Sequence, residues 1–169
     1  AMTTFSSTQA EDAVENSLDL IERVLEDADW SYERDGYNSV HCIIPTHWGD
    51  MGGVFTMREE TESLQFSLTL DVKPTAIRRN ALNELLVMIN EQLWLGHFDF
   101  WPMDDSILFR HTIAMSGRSE PAGSEISSVI SAATRAIEKF TPSMNYVIWA
   151  GKSASEALET AMFETIGQA

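Results

Sequence analysis

Three residues of the chain could meet to do polar chemistry. His97 and Asp99 are two apart, so on a strand they share a face, and Arg110 lies within reach of a partner strand. A histidine, a carboxylate and a guanidinium converging in a pocket could move a proton or hold a small polar ligand. One histidine and one carboxylate are too few to fix a metal ion by themselves. A second cluster is His41, Cys42 and His47. Adjacent strand residues point to opposite faces, so His41 and Cys42 cannot serve one ion without a bulge. Cys42 falls with Val40 and Ile44 and reads as a buried, inert thiol.

The other motifs weaken on inspection. Gly49-Asp50-Met51-Gly52-Gly53 is glycine-rich but lacks the Lys-Ser/Thr of a phosphate loop, and it reads as a turn before a strand. No G-x-S-x-G elbow and no H-E-x-x-H spacing occurs. Glu59-Glu60-x-Glu62 and Asp104-Asp105 fall at predicted turns, where carboxylates stay wet and keep ordinary acidity. The tryptophans Trp30, Trp48, Trp94, Trp101 and Trp149 are expected at the core or its edge. Any left exposed marks a protein interface, with Trp48, Trp94 and Trp101 the candidates beside His97, Asp99 and Arg110. No catalytic residue, cofactor or metal site is expected.

These residues need elements to position them. Leu18, Ile21, Leu25 and Ala28 predict a first helix, after a mobile lead over residues 1–15; a single domain is expected over 16–169. Asp35-Gly36 predicts a two-residue hairpin turn between strands at Ser31–Arg34 and Tyr37–Ile44, the second ended by Pro45. A loop over Thr46–Gly53 precedes a strand at Val54–Glu59. Leu64, Phe66, Leu68, Leu70 and Val72 alternate with polar residues as a half-buried strand. Pro74 and Thr75 open the strongest helix, striped by Ile77, Ala81, Leu82, Leu85, Leu86, Ile89 and Leu93, widened by Val87 and Trp94, and stopped by Gly96. Leu93 and Trp94 there suggest that Trp94 stabilises the junction into the next strand. A second hairpin turning at Asp104-Asp105 sets Phe100 opposite Phe109 and Asp99 opposite Arg110. Ile126 to Phe140 is helical, Pro142 kinks or interrupts it, and a helical turn to Gly151 follows. Ser153-x-x-Glu156 caps a last helix bearing Ala157, Leu158, Ala161, Met162 and Ile166. The fold class is α+β: an antiparallel sheet with helices packed on it, in the order α-β-β-β-β-α-β-β-α-α.

The chain has 169 residues, with 44% apolar and 22% charged, the composition of one globular domain. Its 26 acids and 11 bases give a net charge of −15. Residues 1–62 hold 14 acids and 3 bases, net −11, and residues 63–169 hold 12 and 8, net −4. The one adjacent basic pair, Arg78-Arg79, is far short of the ~6–10 phosphate contacts of strong DNA binders. Neither nucleic acid nor an anionic membrane is an expected partner. Ala1 to Asp12 lacks the basic and apolar regions of a signal peptide, and a single cysteine suits a reducing compartment, so a cytoplasmic location is expected.

Asn90-Glu91-Gln92-Leu93-Trp94-Leu95-Gly96-His97-Phe98-Asp99, with the later Phe109-Arg110-His111, resembles the signature of the YbjN family of bacterial proteins. Val147-Ile148-Trp149-Ala150-Gly151-Lys152-Ser153, followed by Glu156-Ala157, is similar to the C-terminal segment of alphaproteobacterial members. The likeness runs from about Ile21 to Ala169. It implies a fold like that of type III secretion chaperones, often homodimeric, and a role in regulating sensory transduction, with no catalytic residues or cofactor. The leading expectation is a non-enzymatic cytoplasmic module that binds a protein partner not identified by the sequence. One alternative is a dedicated chaperone for an extended client segment. The other is a small-ligand binder or enzyme with a pocket near His97, Asp99 and Arg110.

Overall fold

The computed structural model describes residues 7–167. Helix α1 (Ser7–Asp27) leads into strands β1 (Tyr32–Asp35), β2 (Ser39–Thr46), β3 (Gly49–Arg58) and β4 (Ser63–Thr69). A 3-10 turn (Ala76–Arg78) opens helix α2 (Arg79–Asn90), followed by β5 (His97–Trp101), β6 (Ser106–Ala114), α3 (Gly123–Ile148) and α4 (Ala154–Gly167). This is the expected α+β element order. All strand pairs are antiparallel, and the sheet order is β1-β2-β3-β4-β6-β5.

The sheet alternates in burial. Val40, Cys42, Ile44, Met51, Phe55, Leu64, Phe66, Leu68, Phe98 and Phe109 are buried on one face and join the helices in a single core cluster. From α1 come Leu18, Ile21 and Leu25, from α2 Leu82, Leu85 and Ile89, and from α3 Ile130, Ile137 and Met144. The helices therefore lie on one side, and the opposite sheet face carries none of the described helices. Helix α1 starts at Ser7, so it takes in residues 7–15 of the expected lead; residues 1–6 lie outside the described residues. Its acidic flank is tied to the sheet. Arg34 of β1 donates to Glu15 at 2.9 Å, Asp19 at 2.5 Å and Glu22 at 2.7 Å, clamping the helix to the edge strand.

Several local expectations are corrected. The first hairpin turn is Gly36-Tyr37-Asn38, since Asp35 pairs with Ser39, and only Gly36 there takes positive φ. Pro45 does not end β2 but pairs with Asp50. Ile43 N–H points to Ser31 O, so the ring of Pro45 faces the same side, where β1 has run out and no donor is needed. The glycine-rich run is strand and not loop. The β2–β3 turn is only His47-Trp48, and a Cβ on Gly53 would sit 2.8 Å from Cys42 Sγ. Helix α2 ends at Asn90, six residues before Gly96. Ile77, Val87 and Trp94, expected on its buried stripe, are exposed. The second hairpin is shifted: Phe98 faces Phe109, and His97 faces Arg110, around the four-residue turn Pro102–Asp105. Helix α3 runs unbroken through Pro142. Ser153 Oγ accepts from Glu156 N–H at 3.2 Å, as a cap should. Met162 is exposed, and the side chain of Ile166 lies outside the described residues.

Gly96 turns the chain into β5 with φ +71, and a Cβ there would lie 2.2 Å from Phe109 Cζ. Gly151 has a similar φ of +68 with open space around it. Gly96→Ala is therefore expected to cost about 2–4 kcal/mol, combining left-handed strain with overpacking. Gly151→Ala should cost only the strain, about 1–2 kcal/mol. Urea denaturation of the two variants checks this; equal losses would show that the Phe109 contact does not matter.

Candidate functional site

Strand β5 is one edge of the sheet and holds half of the candidate residues, His97, Asp99 and Trp101. Its unpaired edge is occupied by a side chain. Asn90 Nδ2 donates to Phe98 O at 3.0 Å, and Phe98 N–H donates to Asn90 Oδ1 at 2.7 Å. The carboxamide thus copies a neighbouring strand for one residue, satisfying a donor and an acceptor that an edge leaves open. The ring of Phe98 meets Phe109 edge-on at 5.7 Å in the core. With Phe98 pointing inward, His97, Asp99 and Trp101 point outward onto the helix-free face, and Arg110 joins them from β6.

Asp99 is the hub. Its Oδ2 accepts from Arg110 Nη1 at 2.8 Å and lies 3.4 Å from His97 Nε2. The Arg110 guanidinium lies 5.2 Å from the Trp101 ring centroid. Burial works against the charge on Asp99, but the Arg110 hydrogen bond and the neighbouring His97 outweigh it and hold the carboxyl below its ordinary value. Leu108, directly opposite Asp99 on this outer face, is only 4% exposed. Asp99 is engaged twice, by Arg110 and by His97, on an open sheet face. A carboxylate held ionised and ion-paired is a poor proton donor or acceptor near neutral pH. Among the described residues, no group of three or more His, Cys, Asp or Glu side chains could hold a metal ion.

The structure brings His97, Asp99, Trp101 and Arg110 together and leaves Trp94 and Trp48 apart. Trp94, in the segment between α2 and β5, is 81% exposed. It does not support the junction; Asn90 and Gly96 do. Trp101 and Trp149 are exposed too, and only Trp30 packs against the core as most tryptophans were expected to. Trp48, 39% exposed, is held by its nitrogen: Nε1 donates to Glu138 O at 3.3 Å. Pro142 lacks the N–H that would normally bond this carbonyl, so the indole takes the place of the missing helical donor. Cys42 is buried, and burial pushes its thiol up to about 11, which keeps it unreactive. Arg78 and Arg79 are structural. Arg78 donates to Val147 O at 2.7 Å and Lys152 O at 2.6 Å, closing the end of α3, and Arg79 pairs with Asp105. Sequence reasoning missed Asn90, whose signal was an amide at a helix end just before an edge strand. It also missed the Trp48–Pro142 partnership, which joins residues far apart in the chain.

Two measurements follow from this geometry. Asn90→Ala should cost about 2–4 kcal/mol, since two hydrogen bonds go and a backbone pair is left at the edge. Asn90→Asp, which keeps the acceptor and loses the donor, should recover part of this in a thermal melt. His111 has its proton affinity lowered by burial and then by the charge of His97. The unfolded chain then binds a proton that the folded one resists, so stability should fall as pH drops below about 6.5. His111→Gln should flatten that part of the stability profile; an unchanged slope would assign it to other groups.

A sequence search of curated proteins returned no match. Among solved structures, that of YbjN, described as "a putative transcription regulator from E. coli", aligns with a TM-score of 0.50. It is 15% identical, over 73% of this chain and 90% of that one. The ExsC-ExsE complex aligns with a TM-score of 0.44 and 10% identity, over 75% of this chain and 92% of that chain. Residues 17–145 match the YbjN family, whose description is "Putative bacterial sensory transduction regulator". That span holds the Asn90–Asp99 block and Phe109–His111; the later run from Val147 to Ala157 falls beyond it. The chain belongs to the YbjN family.

Proposed function

We propose that this chain is a non-enzymatic protein-binding module that regulates bacterial signal transduction in the cytoplasm, working as a homodimer built from a single domain. The observation that supports it most is the contrast along the block from Asn90 to Trp101. The groups able to do chemistry there are tied to one another, while Trp94, 81% exposed, and Trp101, 40% exposed, stand in solvent. Exposed tryptophans, Trp101 beside the satisfied charges and Trp94 on the segment that leads into β5, suit a recognition surface, where aromatic side chains carry much of the binding energy. Family membership agrees with a regulatory role. Ile77 and Val87, 86% and 71% exposed on the 3-10 turn and α2, favour a second copy as one occupant, since a two-fold interface buries one patch against itself. No described helix is long and apolar enough to cross a membrane.

Two experiments test this reading. The chain and its Trp94→Ala/Trp101→Ala variant, immobilised side by side, are exposed to extract of the native bacterium. A protein held in stoichiometric amount by the first and lost from the second is the expected result, and identical retention by both would sink the assigned surface. Light scattering coupled to gel filtration at micromolar concentration should give twice the chain mass, reduced to one chain by Ile77→Glu/Val87→Glu. A wild-type mass of one chain removes the dimer.

A further inference from the structure

A groove of about 900 Å³ lies on the helical side of the molecule, between the β2–β3 turn, α3 and α4. Its long wall is one face of α3, from Arg135 through Lys139 and Pro142 to Tyr146, residues spaced by whole helical turns. Trp48 closes the groove on the other side. The indole is preset, because its Nε1 bonds the Glu138 carbonyl that Pro142 leaves without a helical donor. The groove therefore has an apolar wall of Trp48, Pro142 and Tyr146 fixed before anything binds.

Its charges are unequally engaged. The Glu138 carboxylate accepts from His47 N–H at 3.4 Å, and the Glu164 carboxylate accepts from the Tyr146 hydroxyl. Among the described residues the Arg135 guanidinium has no ion pair or hydrogen bond, and the Lys139 ammonium, 5.2 Å from the Phe140 ring centroid, has none either. Four residues apart on the helix, the two cations stand side by side at one end of the groove. Two available cations beside a preset aromatic wall are complementary to one kind of molecule.

We propose that this groove binds a small amphipathic anion: an aromatic or apolar body against Trp48, Pro142 and Tyr146, with one carboxylate, sulfonate or phosphate between Arg135 and Lys139. The volume lies in the range of small-ligand sites. The net charge of −15 repels polyanions at a distance, so the fit is to a single negative head whose body supplies apolar contact. The site lies away from Trp94 and Trp101 and does not depend on their role.

The probe is 1-anilinonaphthalene-8-sulfonate, with N-phenyl-1-naphthylamine as its uncharged analogue, titrated into the full chain and followed by emission. One equivalent of the sulfonate should bind saturably. Arg135→Gln/Lys139→Gln should weaken it by about tenfold or more, because charge-assisted hydrogen bonds are lost. The same variant should leave the neutral dye unchanged. Trp48→Phe should weaken both dyes, and Trp94→Ala neither. Displacement of the bound sulfonate by naphthylacetate or by naphthyl phosphate identifies the preferred head group. Equal affinity for the two dyes, no response to the charge-removing variant at an unchanged melting temperature, or loss of binding in Trp94→Ala would each overturn the proposal.

Discussion

The two hydrogen bonds between Asn90 and the backbone of Phe98 fix the relation of helix to sheet on which the rest depends. They join the last residue of α2 to the edge strand across a bend with no regular structure of its own. Once Phe98 is pinned, its ring must enter the core against Phe109, and Gly96 must pass so close to that ring that no side chain is possible. The alternation of the strand then sends His97, Asp99 and Trp101 outward. One carboxamide therefore decides which side chains are core and which are surface. It also leaves little of the short strand's edge free to recruit another strand.

The acidic excess is organised by a few arginines used within the molecule. Arg34 gathers three carboxylates of α1 onto β1, Arg110 engages Asp99, Arg118 pairs with Glu125 at 2.5 Å, and Arg78 closes the end of α3. Exposed pairs of this kind contribute roughly 0–1 kcal/mol each, so their value lies less in stability than in geometry. Their effect on the outside is larger. With these bases engaged internally, the field reaching solvent is that of the remaining acids, concentrated in the first 62 residues. A partner approaching from that side meets a negative surface, and a basic one associates faster.

Much of this was legible in the sequence. The β4 alternation and the Cys42 face were read correctly because one sheet face is buried and the other wet, which writes period two directly into the residues. The register of the second hairpin differs by two residues from the one its pattern suggests. A two-residue slip keeps each side chain on its own face, so the pattern cannot detect it; only the four-residue turn fixes the register. The apolar stripe overstates the length of helix α2, because Leu93 and Leu95 still pack on the core from a non-helical segment past the helix end. The sequence pattern does imply the Asp99–Arg110 contact, though the two are diagonal neighbours and not directly opposite.

Pro142 shows why local rules fail where tertiary structure can supply what the backbone lacks. A proline inside a helix removes one donor and strands the carbonyl one turn earlier, and that loss predicts a break. Here the indole of Trp48, 90 residues away in sequence, provides the N–H, and α3 continues. The exchange works in both directions. The helix keeps its length, and a tryptophan in a two-residue turn gains a fixed orientation that such a turn would not impose alone. The expected loop from Thr46 to Gly53 left Trp48 nothing to dock against. The pairing of Thr46 with Gly49 shortens it to a turn that projects the ring onto α3, at the carbonyl that needs it. The tryptophans thus divide by physics: Trp48 is held by a hydrogen bond and walls a groove, while Trp94, with no such anchor among the described residues, stands open to solvent.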